Sequence, residues 1–248
     1  MPTFSAEQFY IVTGASSGIG RETALLLNEL GASVIAIARN EQRLTQMKAE
    51  AKFPENMFIE IKDLAENIEN LPKYVKSLKE KYTKFSGLVY CAGMGELKPM
   101  LLLEYEELKK LFDINYYSPL FMIKGLADRR NNIGNGCSIV AISSIAALCS
   151  DKGHCAYAGS KAALCASLKS MAKELANTRI RLNCILPSNI KTPMTAIGGE
   201  NYEESQMHLY PFGFGSPIDV ANLAIFLLSD KSKFISGQNY VLDSGGVR

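Results

Sequence analysis

Thr13-Gly14-Ala15-Ser16-Ser17-Gly18-Ile19-Gly20 joins a short apolar run, Gln8 to Thr13, to a helical pattern, Gly18 to Leu30. How this junction is read decides the fold. Glycine there permits a tight turn, lets the main chain approach a pyrophosphate and allows close helix-to-strand packing, while the helix N-terminus offers free N–H groups to an anion. The spacing is Gly-x-x-x-Gly-x-Gly, not Gly-x-Gly-x-x-Gly. Alone, such a turn can be merely structural. At the first strand-to-helix junction of an alternating chain it points to a dinucleotide.

The alternation runs the length of the chain. Strands are expected at Gln8 to Thr13, Ser33 to Ala38, Met57 to Ile61, Gly87 to Tyr90, Ser138 to Ile142, Ile180 to Leu186 and Asn239 to Leu242. Helical patterns fall at Gly18 to Leu30, Glu41 to Ala51, Ile68 to Lys81, Tyr105 to Arg129, Ala156 to Ala176 and Pro217 to Leu228. Strands separated by helices of this length imply crossover connections and a parallel sheet covered on both faces. The expectation is a doubly wound α/β fold of the Rossmann type, a single sheet of about seven strands. With 248 residues, 47% of them hydrophobic, residues 1–248 are read as one domain. Ligands of such sheets bind at the carboxyl ends of the strands. Lys191 to Ser216 has no clear periodicity and mixes Gly198, Gly199, Gly213 and Gly215 with Met194, Tyr202, Met207, Tyr210, Phe212 and Phe214, which suggests a substrate-covering loop with apolar walls.

Several function classes fit poorly. Net charge is +2 and no strongly basic stretch occurs, so nucleic-acid binding has no electrostatic source. Lys73, Lys76, Lys79, Lys81 and Lys84 alternate with acids and apolar residues as on the wet face of a helix. Cys91, Cys137, Cys149, Cys155, Cys165 and Cys184 contain no Cys-x-x-Cys and only His154 and His208 accompany them, so no metal site can be drawn. They read as buried thiols of a reducing cytosol. With no basic-then-apolar start and no apolar run near ~18 residues, a soluble cytoplasmic protein without membrane contact is expected.

Tyr157-Ala-Gly-Ser-Lys161 places a phenol and an amine four residues apart within the Ala156 to Ala176 helical pattern, on one helix face. A free tyrosine loses its proton near pH ~10, and a neighbouring ammonium favours the phenolate, which makes the pair a candidate acid/base device. The bland alternative is a partly exposed helix face.

Thr13 to Gly20, Asn115, Ser144, Tyr157 and Lys161 together resemble the short-chain dehydrogenase/reductase family in its compact single-domain, 3-oxoacyl-acyl-carrier-protein-reductase-like branch. The likeness covers nearly the whole chain, including Ile180 to Met194, Ser236-Gly237-Gln238 and Asp243 to Gly246. It implies hydride transfer between a nicotinamide and a carbonyl or secondary alcohol, with a 3-oxoacyl thioester as one candidate substrate. Ser144, thirteen residues before Tyr157, would then hydrogen-bond the substrate oxygen, with Ser143 as its rival for that place. Tyr157 would move the proton, Lys161 would touch the nicotinamide ribose and support the phenolate, and Asn115 would hold a relay water rather than merely kink or cap a helix. Cofactor contacts would come from Gly14, Ser16, Ser17, Gly18, Ile19, Gly20, Ala92, Gly93, Tyr157, Lys161, Pro187, Ile190 and Thr192.

The end of the second strand, Ile37-Ala38-Arg39, bears on the choice of cofactor. Ala38 stands where NAD-preferring relatives carry aspartate, and Arg39 can meet the extra phosphate of NADP, so NADP is expected over NAD. Otherwise Arg39 is a solvated residue beside Arg43. Asp63 resembles the residue that meets the adenine amine, with Leu64 beside it; its alternative is a helix N-cap. Two departures from the family stand out: Tyr90-Cys91-Ala92-Gly93 in place of Asn-Asn-Ala-Gly, and Pro187-Ser188 in place of Pro-Gly. They place local packing and substrate preference in doubt. The rival readings are an NAD-linked alcohol dehydrogenase and a non-catalytic cofactor-sensing protein on the same fold. The family further implies a small-molecule substrate and a homotetramer or homodimer built on the two long helices, for which Ala156, Ala163, Ala166 and Leu168 offer small apolar surface, the alternative being that the same residues serve the internal core.

Overall fold

The computed structural model of the chain describes residues 2–134, 136–195 and 202–246. Gly198 and Gly199 of the expected loop lie outside them. Seven parallel strands form one sheet in the order β3-β2-β1-β4-β5-β6-β7. They are β1 (Phe9–Thr13), β2 (Ser33–Ala38), β3 (Met57–Ile61), β4 (Phe85–Tyr90), β5 (Ser138–Ile142), β6 (Arg181–Pro187) and β7 (Asn239–Leu242). β2, β4, β5 and β6 are buried along their whole length, as continuous apolar strands of a parallel sheet must be, whereas β3 and β7 at the two edges are only partly covered.

The helices are α1 (Gly18–Glu29), α2 (Glu41–Glu50), α3 (Leu71–Lys81), α4 (Tyr105–Phe112), α5 (Ser118–Ala127), α6 (Cys155–Leu175), α7 (Tyr202–Gln206) and α8 (Pro217–Leu228). Two apolar clusters lie on opposite faces of the sheet. One gathers Val12, Val34, Ala36, Val89 and Val140 with Leu27 of α1 and Ile225 of α8; the other gathers Ile11, Ile35, Leu88 and Ile139 with Val75 of α3, Ile123 of α5 and Leu164 of α6. Alternate strand residues thus serve both layers, and each fully buried aliphatic side chain contributes about 1.5–3 kcal/mol before entropy is charged against it.

The register puts Thr13 beside Ile37 on one side and beside Tyr90 on the other, and Tyr90 beside Ala141. Strand order reverses between β1 and β4, and the segments leaving Thr13, Tyr90, Ile142 and Pro187 therefore emerge side by side.

Two sequence expectations need correction, and one open alternative is decided. Tyr105 to Arg129 is not one helix: a π turn, Asp113–Tyr117, separates α4 from α5, and α5 stops at Ala127. Pro119 is the physical reason, because it cannot give its nitrogen to the Asn115 carbonyl four residues back, and the ladder slips so that Ser118 N–H bonds Asp113 O. The cysteines are not all buried: Cys155, the first residue of α6, is exposed, and Cys91 and Cys149 are half-buried. Ala156 and Leu168 are spent inside the molecule, at 5% and 2% exposure, so of the four small residues on α6 only Ala163 and Ala166 face outward in part. Among the described residues no helix is long and apolar enough to cross a membrane, and no cluster of His, Cys, Asp or Glu could hold a metal.

Candidate active site

The glycine turn is built on close backbone approach. Gly14 has φ +65°, and a Cβ there would lie 2.9 Å from Ala92 N; a Cβ on Gly20 would lie 2.5 Å from Gly14 O. Thr13 Oγ1 accepts the N–H groups of Cys91 and Ala92 at 3.0 and 3.1 Å, which ties the end of β4 to the start of the turn. Ser17 caps α1 in extended conformation, its hydroxyl makes no capping bond, and the first turn holds no carboxylate. Gly18 has φ +53° and faces Thr192, whose Cγ2 would be 3.1 Å from an added Cβ. Ser16 and Ile19 are half-buried beside it. An uncluttered helix N-terminus walled by bare glycine and roofed by the segment after Pro187 and Ile190 suits a pyrophosphate.

Next along the sheet edge, Arg39 is largely exposed and its Nη1 lies 3.4 Å from Asp63 Oδ2. Asp63 Oδ1 also accepts Ala65 N–H at 2.9 Å, so this carboxylate organises its own turn. Leu64 points the other way: at 3% exposure it belongs to the core cluster with Ile11, Ile35 and Ile37 rather than to an open surface. Ala38 is 8% exposed and leaves the end of β2 without a side chain that could accept a bond from a ribose.

Lys161 is 5% exposed. Its Nζ donates to Ile142 O at 3.0 Å and sits 5.8 Å from the centre of the Tyr157 ring. Both Lys161 Nζ and Asn115 Oδ1 crowd the same point over Gly93, at 3.5 and 2.9 Å from a Cβ built there. Asn115 is clamped, since Oδ1 accepts Met94 N–H at 3.0 Å and Nδ2 donates to Met94 O at 2.9 Å and to Ser160 Oγ at 3.1 Å. Ser160 Oγ in turn donates to Tyr157 O. The two candidate serines differ in kind. Ser143 is buried and its O–H is spent on Lys161 O at 3.0 Å, whereas Ser144 is half-buried and its oxygen accepts Ala146 N–H at 3.2 Å, which leaves its proton available.

This arrangement matches a known protein family along almost all of its length: the model described as enoyl-(acyl carrier protein) reductase covers residues 14–246. The chain belongs to the short-chain dehydrogenase/reductase family. A 3-oxoacyl-[acyl-carrier-protein] reductase of Thermotoga maritima is 32% identical over 247 residues, 96% of each chain. A solved short-chain dehydrogenase/reductase of Mycobacterium ulcerans superposes with TM-score 0.89 at 30% identity, covering 98% of this chain and 90% of that one. A 4-hydroxyisoleucine dehydrogenase complexed with NADH gives TM-score 0.87 at 28% identity, covering 96% and 98%. As a short-chain dehydrogenase/reductase the protein is an oxidoreductase of a family that uses NAD(H) or NADP(H).

Sequence reasoning missed several groups that shape this short-chain dehydrogenase/reductase site. Tyr90, wholly buried, reaches Ile114 O and Ser118 Oγ at 3.1 and 2.7 Å. Burial holds its phenol well above the ordinary value. Burial likewise pushes the Cys91 thiol up to about 12, with Lys161 opposing. One turn beyond Lys161, Cys165 Sγ lies 3.7 Å from Cys184 Sγ. The contact with Cys184, with the charge of Lys161, lowers the Cys165 thiol below its ordinary value. A proline four residues after Asn115 was the one available sequence signal for the π turn.

The expected apolar loop is placed differently from the polar set. Tyr210, Phe212 and Phe214 line a cavity of about 280 Å³ with Asn189, Asp219 and Leu242, and neither Ser144, Tyr157 nor Lys161 borders it. Among the described loop residues Met194 approaches the β4 side, with Sδ 3.4 Å from a Cβ built on Gly95.

Proposed function

We propose that the chain is an NADP(H)-dependent reductase of the cytosol acting between a carbonyl and a secondary alcohol, with a 3-oxoacyl thioester as the candidate substrate. The observation that carries the chemistry is the buried Lys161 ammonium beside the Tyr157 ring, at the open end of β5 and next to a glycine. A bound nicotinamide supplies or accepts the hydride. Tyr157 gives the substrate oxygen its proton in reduction and takes it back in oxidation. Ser144 O–H orients that oxygen, since its own oxygen is already held by Ala146 N–H. Lys161, with one of three protons spent on Ile142 O, has two left for the ribose and for the relay. Asn115 holds the relay end on the Gly93 side; because its carboxamide is engaged with Met94 and Ser160, the group assigned to a water is its main-chain carbonyl, whose donor in α register would be Pro119. Loss of NADPH absorbance with acetoacetyl-CoA, and with a carbonyl panel, tests the reading.

NADP is favoured because Ala38 leaves no ribose-binding carboxylate and Arg39 is exposed at the strand end. The NADH-bound 4-hydroxyisoleucine dehydrogenase among the similar structures keeps an NAD-linked dehydrogenase as the second reading. Arg39→Asp exchanges a charge-assisted phosphate contact for repulsion, so NADPH binding should weaken by at least about tenfold while NADH binding holds or improves. Fluorescence titration of both cofactors decides it. Equal affinities in the unmodified protein would remove the NADP assignment.

We further propose a homodimer or homotetramer. Tyr105 and Tyr117 on the α4–α5 side are 73% and 44% exposed, and Ala163 and Ala166 leave the outer face of α6 low enough for close helix packing. Light scattering at micromolar concentration should give at least twice the 27.2 kDa chain mass.

A further inference from the structure

Tyr90 occupies a position at which the family resemblance leads one to expect asparagine, and the structure shows what the larger side chain reaches. It ends β4 at the point where strand order reverses, it is 1% exposed, and its hydroxyl arrives at the π turn that carries Asn115. The Ile114 carbonyl there lacks a main-chain donor for two separate reasons. In α register its partner would be Ser118 N–H, which bonds Asp113 O instead; in π register it would be residue 119, a proline. A buried carbonyl without a donor is destabilising, since it has given up its bond to water for nothing. Tyr90 supplies the donor across 24 residues of sequence, at 3.1 Å. The same hydroxyl also donates to Ser118 Oγ at 2.7 Å, so its one proton is shared between the Ile114 carbonyl and the first side chain of α5.

We propose that Tyr90 is a positioning residue for the reaction: its hydroxyl, together with Pro119, holds the turn at Asp113–Tyr117 in π register and so keeps Asn115 against Met94 and beside Lys161. Without that bond the turn can slip toward the α ladder, which rotates Asn115 away from the Met94 main chain and from Gly93. The phenol touches neither substrate nor cofactor in this scheme. The consequence for turnover rests on the reductase reading above, whereas the consequence for the turn does not.

Two variants and two readouts test this on the full chain. Tyr90→Phe deletes one oxygen. It should lower kcat for NADPH-dependent reduction of acetoacetyl-CoA about tenfold, with KM for NADPH within about twofold, since displaced catalytic groups lose transition-state contacts while binding contacts persist. In an Asn115→Ala background the same change should cost nothing further, because both act through one group. Pro119→Ala restores an N–H at the slip point; it should raise Tm through better helix propensity and still lower kcat, a combination that a purely structural role does not give. Residue-resolved amide exchange is the second readout. The Met94 N–H, held by Asn115 Oδ1, should exchange about tenfold faster in Tyr90→Phe. Full kcat in both variants overturns the proposal, as do losses that multiply in the double variant. Unchanged Met94 exchange overturns it whatever the enzyme reduces. Full activity in Asn115→Ala, or no reduction by the unmodified protein, counts instead against the roles proposed above, with Met94 exchange still deciding whether Tyr90 holds the turn.

Discussion

Tyr157→Phe should lower carbonyl reduction by about 10²- to 10⁴-fold, the usual contribution of a positioned acid/base group, and leave cofactor affinity nearly unchanged. The substitution keeps the ring and its contact with His154 at 6.3 Å between centroids, so packing at the start of α6 is preserved and only the proton-bearing oxygen goes. Lys161→Ala should differ in kind. It removes a buried ammonium bonded to Ile142 O and leaves room beside Gly93, so turnover and cofactor binding should both fall. Stopped-flow reduction on any accepted substrate, paired with cofactor titration of each variant, separates the two signatures. A Tyr157→Phe protein that keeps most of its reductase rate would sink the assignment and bring a non-catalytic role on the same fold forward.

Gly14→Val should be severely damaging to the cofactor turn. Its backbone sits at φ +65°, a region that costs a branched residue roughly 1–2 kcal/mol. The added Cβ also meets Ala92 N, Ala92 Cα and the Cys91 carbonyl carbon at 2.9–3.0 Å, all main-chain atoms that cannot rotate aside. Because Thr13 Oγ1 holds the Cys91 and Ala92 amides, relief requires separating β1 from β4 at the strand ends, and overpacking of this kind adds about 1–3 kcal/mol. The combined loss, on the order of 2–5 kcal/mol, should appear as a fall in Tm, with dinucleotide binding weakened at least about tenfold. Ser17→Ala makes the contrast: its hydroxyl makes no capping bond, so Tm should stay within a degree or two while only anion affinity changes. Differential scanning fluorimetry with and without NADPH reads both effects. A Gly14→Val protein with unchanged Tm and unchanged NADPH affinity would show that the close approach at Ala92 is dispensable.

The sequence by itself determined what depends on neighbours along the chain. Four of the seven strands, Ser33–Ala38, Met57–Ile61, Ser138–Ile142 and Asn239–Leu242, begin and end where the apolar and β-branched runs do; for the two inner ones, β2 and β5, the reason is that a parallel strand buried on both faces must be apolar throughout. The glycine turn was legible because few other residues tolerate φ near +60° at its ends, and the Tyr157–Lys161 pair because i and i+4 share a helix face. Tertiary structure alone decided the rest. Ser143 and Ser144 are chemically identical neighbours, and only packing of α6 against β5 spends the first on Lys161 O and leaves the second half-exposed. Periodicity carried one long helix through Asn115, since a π turn changes hydrogen-bond register without changing apolar pattern; its cause, Pro119, is local, but its repair comes from Tyr90 on another strand. Leu64 packs its side chain into the core, and Tyr210, Phe212 and Phe214 line a cavity that Tyr157 does not border, because which side of a strand end faces the cleft is set by the sheet's register. A hydrogen bond or a cavity wall joins residues distant in the chain, and proximity of that kind is a property of the packed sheet rather than of any stretch of it.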